Sequence, residues 1–335
     1  MDFEKPGIGA QFSQLGYLLK NTFTIIGRDK DILSPIIRMS IYATLVVVLF
    51  FAGVAAIVVG MGGTGTLLLL AMVVAFIYKF FYYNHQELRL SRLIYDTACG
   101  RDATLQNVRK ELADLKGRAR ILGLIDMAGA WVAMRRGNGG FFVRLVLGTL
   151  VEIWDLVNHF LLPVFAIDKL SFRDGGARLR SLKDHVPETL VGVFGIDIMA
   201  GVVRSVLVPL YLIAIILGII LGLAFGGVMP AAFSAGRLGD LFGSIPDALP
   251  FNEQTLFNWL PLFVLVLLTF IGNAILARLV TAIKVIYFTL FYTRIAHVDA
   301  LASDIRHELD GYLNLGGGDA SAGDTSASGP AMGQS

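Results

Sequence analysis

Ser40-Ile-Tyr-Ala-Thr-Leu-Val-Val-Val-Leu-Phe-Phe-Ala-Gly-Val-Ala-Ala-Ile-Val-Val-Gly-Met61 decides the class of this chain. It carries no charge, and as a helix rising 1.5 Å per residue it is long enough for the ~30 Å hydrocarbon layer of a bilayer. Four more stretches reach or approach the same length: 64–81, 141–165, 206–225 and 256–279. A sixth, 121–134, is apolar but short. In lipid the backbone must satisfy its own hydrogen bonds, so these stretches are expected to be helices. The expected fold is all-α: an integral membrane helical bundle of about six transmembrane helices, with interfacial amphipathic helices beside them.

Composition agrees. The chain is 55% hydrophobic and 16% charged, against about 25% charged in soluble domains, and its mean hydropathy is +0.68. A net charge of +2 gives no reason to expect a nucleic-acid partner. One cysteine, Cys99, excludes an internal disulfide, and with no nearby His it reads as an inert small apolar residue. No cleavable signal peptide is expected, because the start is polar and mixed in charge.

Lys and Arg in the connecting segments set the expected orientation. Lys20, Arg28, Lys30 and Arg38 precede the first span, and the turn at 60–65 is uncharged. Arg89, Arg92, Arg101, Arg109, Lys110, Lys116, Arg118 and Arg120 follow the second span. Lys169, Arg173, Arg178, Arg180 and Lys183 follow the fourth. The segment 226–252 holds only Arg237, whereas Arg278, Lys284 and Arg294 mark the end of the last span. A multi-pass protein of the cytoplasmic (inner) membrane with both termini cytosolic is expected. The stretch 121–134 fits least well. The basic turn at Arg135 and Arg136 would lie outside, so this arm is expected to be short, tilted or re-entrant.

The expected organisation is a cytosolic or interfacial segment 1–38, a six-span domain 39–300 with cytosolic helical segments near 84–120 and 167–188, a short helix 301–315, and a tail 316–335. The Gly, Ser, Ala and Asp of the tail point to disorder. Phe12, Leu15, Leu19, Phe23 and Ile26 recur at helical spacing, as do Leu105, Val108, Leu112 and Leu115. Such stripes suit helices lying on the membrane, or equally packing against the protein's own cytosolic face. Asp102 or Thr104 is placed to cap the second of them. Gly123-Leu-Ile-Asp-Met-Ala-Gly129 echoes Gly195-Ile-Asp-Ile-Met-Ala-Gly201, a weak sign of internal duplication.

Ala214, Gly218, Gly222 and Gly226 fall every four residues on one helix face, where small side chains let two membrane backbones approach. The seam is expected to serve packing within the chain, or else a homodimer. Ala52, Ala56 and Gly60 form a weaker stripe, and Pro163 and Pro209 are expected to kink their helices.

The chemistry worth testing lies in 141–165, which carries Arg144, Glu152, Asp155, Asn158 and His159. Glu152, Asp155 and His159 fall within about 60° of one another around the helix, with Arg144 on the same side. Ionisable groups in a span are functional candidates by default. The set reads as a self-paired cluster lining a wet groove, a solute or proton path, or part of a metal site that one helix cannot complete. Asp126 and Asp197, the other acids in apolar runs, are placed either to complete it or to sit near the interface where water reaches them. Lys79, Asn84, His85, Gln86 and Glu87 are expected to snorkel to the interface. No nucleotide loop, His-Glu-x-x-His or Gly-x-Ser-x-Gly is present.

Trp154-Asp-Leu156-Val157-Asn-His-Phe160-Leu-Leu-Pro163-Val164, followed after a polar segment by Val191-Gly-Val-Phe-Gly195, resembles a prokaryotic family of polytopic membrane proteins, domain-of-unknown-function family six-one-five-nine. Gly27-Arg28-Asp29-Lys30-Asp31-Ile32-Leu33 resembles that family's entry motif, and Leu290-Phe-Tyr292-Thr-Arg294-Ile-Ala296 its ending. The resemblance covers about residues 10–300 and implies a six-helix membrane domain, with 121–134 as a true short span. The chain departs from the family pattern at Glu152, Asp155, Asn158 and His159, where small or apolar residues are usual. The functional expectation is a non-enzymatic membrane-embedded interaction or accessory subunit that needs no cofactor. Its partners are the bilayer and a second copy or another membrane protein. The alternative is a permease for a small solute, ion or lipid.

Overall fold

A computed structural model describes residues 26–102, 104–135, 157–181, 186–234 and 257–306, with the backbone alone at 133–135, 179–181, 186–200, 202–204 and 206. The described residues are helical apart from turns and one isolated bridge, Ser234 with Asn258. In chain order the helices are α1 (Leu33–Val58), α2 (Gly62–Ala98), α3 (Leu105–Glu111), α4 (Lys116–Arg135), α5 (Val157–Asp168), α6 (Phe172–Ser181), α7 (Val186–Ala224) and α8 (Leu260–Ala296). Four of them, α1, α2, α7 and α8, contain stretches long and apolar enough to cross a membrane. The protein is all-α and membrane-embedded. Of the six stretches expected to span, α4 falls short of that standard, and 141–165 is described only from Val157 onward.

Helix length organises the molecule. At 37 residues, α2 runs about 55 Å, far more than one hydrocarbon layer needs. Its first half is bare: Leu67 is 68% exposed, and Leu70, Val74 and Ile77 face outward with it. Its second half is buried: Leu90, Leu93 and Ile94 are 0% exposed. The main core gathers Ile32–Ala43 of the first helical region, Tyr83–Ala98 of α2, Val108 to Leu122 of α3 and α4, Leu161–Ile167 of α5, Ala282–Tyr292 of α8, and Leu301 and Ile305. All of these lie at one end. The bundle is a packed base from which α1, α2 and α8 project as apolar rods, with α7 packed along α8. Exposed residues follow the same division: charged or polar on the base (Asp102, Gln106, Asn107, Asp114, Arg173), aliphatic on the rods.

Several expectations are corrected by this arrangement. The region just after the second span is the continuation of α2, which runs unbroken to Ala98. Asn84, Gln86 and Glu87 do not snorkel; they are buried between helices. The stripe Leu105, Val108, Leu112 and Leu115 takes the second of its two alternatives and packs into the base core. Likewise the end of 141–165 is not a lipid-facing span, since Asn158–Ile167 is buried throughout. Thr104 is the N-cap of α3, its hydroxyl accepting from the Asn107 amide at 3.4 Å. Asp31 adds a second acceptor, taking the Leu105 amide at 3.0 Å. Of the N-terminal stripe only Ile26 is described, and it packs against the same core.

Glycine closes both helices of the first hairpin. Gly60 (φ 93°) and Gly100 (φ 70°) adopt left-handed backbone just past the ends of α1 and α2. At each, the next residue's amide reaches back to the helix: Met61 to the Ala56 carbonyl, Arg101 to the Asp96 carbonyl, both at 2.8 Å. This is the Schellman arrangement, which satisfies carbonyls the helix leaves open. The close approach of α1 and α2 runs through Gly53 and Gly65. A Cβ on Gly65 would lie 2.5 Å from the Ile57 side chain and 2.8 Å from the Gly53 carbonyl.

The Ala214–Gly226 stripe meets the chain's own last helix. A Cβ on Gly218 would stand 2.6 Å from the Leu262 Cα, and one on Gly222 2.4 Å from the Asn258 carbonyl. Ala214 and Gly226 are half-buried on either side. Pro209 lies within α7 and Pro163 within α5. Asn258 ties this far end together. Its amide donates to the Gly222 carbonyl (3.1 Å), its Nδ2 to the Pro230 carbonyl (2.9 Å), and its Oδ1 accepts from the Leu260 amide (3.0 Å). Asn258→Ala is expected to cost about 2 kcal/mol by leaving buried groups unpaired, read as a lowered unfolding midpoint in detergent titrations.

Candidate functional site

The Asp126 carboxylate stands where the rods enter the base. α4 meets α2 here because Gly123 has no side chain: a Cβ would come within 3.1 Å of the Phe81 Cα. One turn on, Asp126 Oδ2 accepts from Asn84 Nδ2 of α2 at 2.5 Å, and Oδ1 accepts from Asn158 Nδ2 of α5 at 2.8 Å. Three helices are thereby joined through one carboxylate. Asn84 is 1% and Asn158 4% exposed. Asn84 Nδ2 also donates to the Phe80 carbonyl at 2.9 Å. The Oδ1 atoms of both asparagines are buried without a hydrogen-bond partner. His159, next to Asn158, is buried with its ring 5.5 Å from that of Phe288 on α8.

The structure thus brings Asp126 and Asn158 to one junction and adds Asn84, while His159 is buried against Phe288. Arg144, Glu152 and Asp155 lie outside the described residues, and only the backbone of Asp197 is described, within α7. Among the described residues no three His, Cys, Asp or Glu side chains converge as a metal site would require.

A second polar group locks the base. Asp168, at the end of α5, accepts from the Tyr292 hydroxyl of α8 and pairs with His297 Nε2 at 2.7 Å. Arg178 of α6 donates to the Tyr292 oxygen at 3.5 Å, which pushes its guanidinium pKa further up. Nearby, Arg92 bridges Asp96 (3.1 Å) and Glu111 (3.0 Å). The Thr289 hydroxyl donates to Ser91 at 2.8 Å inside the core. No pattern in the sequence signals the Asp168–His297 pair, because its members are 129 residues apart. Burial pushes the Cys99 thiol pKa up, which makes it a poor nucleophile.

Chemically, a carboxylate fixed by two amides can hold a proton or a hard cation, and a carboxylate–imidazole–phenol group can pass a proton. Comparison with known proteins gave no matching family model, curated protein or solved structure. The functional reading rests on the chain's own chemistry.

Proposed function

We propose that this chain is a non-enzymatic, membrane-embedded interaction or accessory subunit, anchored by its apolar helices and presenting the base to a protein partner in the cytosol. One observation carries the reading: the charged side chains at the junctions of the base pair within the chain, Asp126 with Asn84 and Asn158, Asp168 with Tyr292 and His297, Arg92 with Asp96 and Glu111. Such networks give a rigid platform rather than a reactive pocket. The Lys and Arg of the base support a multi-pass topology in the inner membrane with both termini cytosolic. Membership of the resembled family is part of the same proposal. A homodimer through the Gly218–Gly222 face is disfavoured, because α8 of the same chain fills it.

A photo-crosslinking residue at Asn107, Asp114 or Arg173, all exposed on the base, tests this in cells. One protein partner recovered at all three positions is expected, with none from Val74 on the opposite part of α2. Crosslinks to lipid alone from every position would overturn it.

A permease is the second reading, favoured by the unpartnered Oδ1 atoms of Asn84 and Asn158 beside Asp126. Solute- or proton-coupled flux into proteoliposomes that disappears in Asp126→Asn would put it first.

A further inference from the structure

A cavity of about 500 Å³ lies between α2 and the first turn of α4, lined by Tyr78, Phe81, Tyr82, His85, Lys116, Ala119 and Arg120. We propose that it binds the phosphate headgroup of an anionic phospholipid, with Lys116 and Arg120 on the phosphate and the aromatic wall against the glycerol and upper acyl chains.

Depth is the first support. Counting about 20 residues of 1.5 Å rise from the start of α2 at Gly62 puts the edge of the hydrocarbon near Phe81. Aromatic rings mark the same level. Tyr42 of α1 stacks on Tyr82 at 4.6 Å and meets Tyr83 edge-on at 5.9 Å, and Arg278 of α8 stands 4.3 Å from the Tyr83 ring. Tyrosine and arginine gather where hydrocarbon gives way to headgroups. The cavity opens at this belt, so a lipid standing in the bilayer meets it headgroup first.

Charge is the second. Lys116 and Arg120 are one turn apart on the same face of α4, both exposed, and neither has a carboxylate partner among the described residues. Arg118 between them is committed elsewhere, donating to the Lys169 carbonyl at 2.7 Å. Arg89, Arg109 and Lys116 all lie within electrostatic reach of His85. Lys116 opens α4, where the helix dipole is positive, and Arg120 follows one turn on. Basic pockets between helices at this depth suit anionic headgroups, and the volume falls in the ~300–1,000 Å³ range of ligand sites. Shape is the third support: Tyr78, Phe81, Tyr82 and His85 share one face of α2, leaving an apolar wall on the bilayer side and cations on the base side.

Native mass spectrometry of the full chain, extracted in mild detergent and offered phosphatidylglycerol, phosphatidylcholine or inorganic phosphate, tests the site. Phosphatidylglycerol is expected to be retained one to one. Retention should fall at least tenfold in Lys116→Gln/Arg120→Gln, but not in the control Lys169→Gln/Arg173→Gln, which removes two base charges away from the cavity. The lipid-free melting midpoint of the double variant should match the parent, since both side chains are exposed. Equal retention by parent and double variant would overturn the proposal, as would retention of phosphatidylcholine equal to phosphatidylglycerol. Stabilisation by inorganic phosphate equal to that by the lipid would overturn it in favour of a free-phosphate site.

Discussion

Gly222→Leu is expected to split the far end of the bundle. The new side chain would start 2.4 Å from the Asn258 carbonyl and 2.6 Å from the Phe257 ring, and the first of these is backbone that cannot swing aside. α7 and α8 would have to separate, breaking the Asn258 amide bond to the Gly222 carbonyl. The cost should be about 3 kcal/mol, at the upper end for overpacking, seen as a large drop in the unfolding midpoint. Gly272→Ala on α8 is the control. Nothing lies within 4 Å of the place its new methyl would take, so it should leave stability unchanged or raise it by up to about 1 kcal/mol. Equal losses at the two glycines would mean that helix propensity, not close packing, explains the stripe.

Asp126→Ala should be the most damaging change in the base. It strips an acceptor from the buried amides of Asn84 and Asn158, of which Asn84 keeps the Phe80 carbonyl. A loss of about 2–4 kcal/mol is expected, because buried donors left unpaired forfeit their full desolvation cost. Asp126→Asn keeps the shape and one acceptor oxygen and should lose less than half as much. Detergent-titration unfolding of the three proteins, followed by circular dichroism, gives the comparison. If Ala and Asn cost the same, the carboxylate's charge rather than its geometry holds the junction.

The membrane class was legible in 40–61 because length and hydropathy alone decide it. The split into rods and base was not. Apolar runs mark where a helix can enter lipid, but not where it leaves, and α2 crosses that boundary without any break in its helix. The amphipathic stripe at Leu105–Leu115 was readable as a pattern, yet a stripe facing lipid and a stripe facing a protein core look alike in sequence. Gly218 and Gly222 were legible as a close-packing face, since only small residues serve there, and α8 of the same chain proved to be the occupant. For the site, Asp126 and Asn158 stood out as polar residues in apolar runs. Asn84 did not, because at the end of a hydrophobic stretch a polar residue is ordinarily solvated. The Asp168–His297–Tyr292 group depends on tertiary contacts that no local spacing announces.

We propose that α2 passes from lipid into a water-facing base at Tyr78–Tyr82. Spin labels at single introduced cysteines, with Cys99 replaced, measure it in proteoliposomes through collisions with oxygen and with a water-soluble nickel chelate. Leu70 and Val74 should be open to oxygen and closed to nickel, while Gln106, Asn107 and Arg173, exposed on the base, should show the reverse. Oxygen access at Gln106 and Asn107 equal to that at Leu70 would place the base in the bilayer and contradict the account.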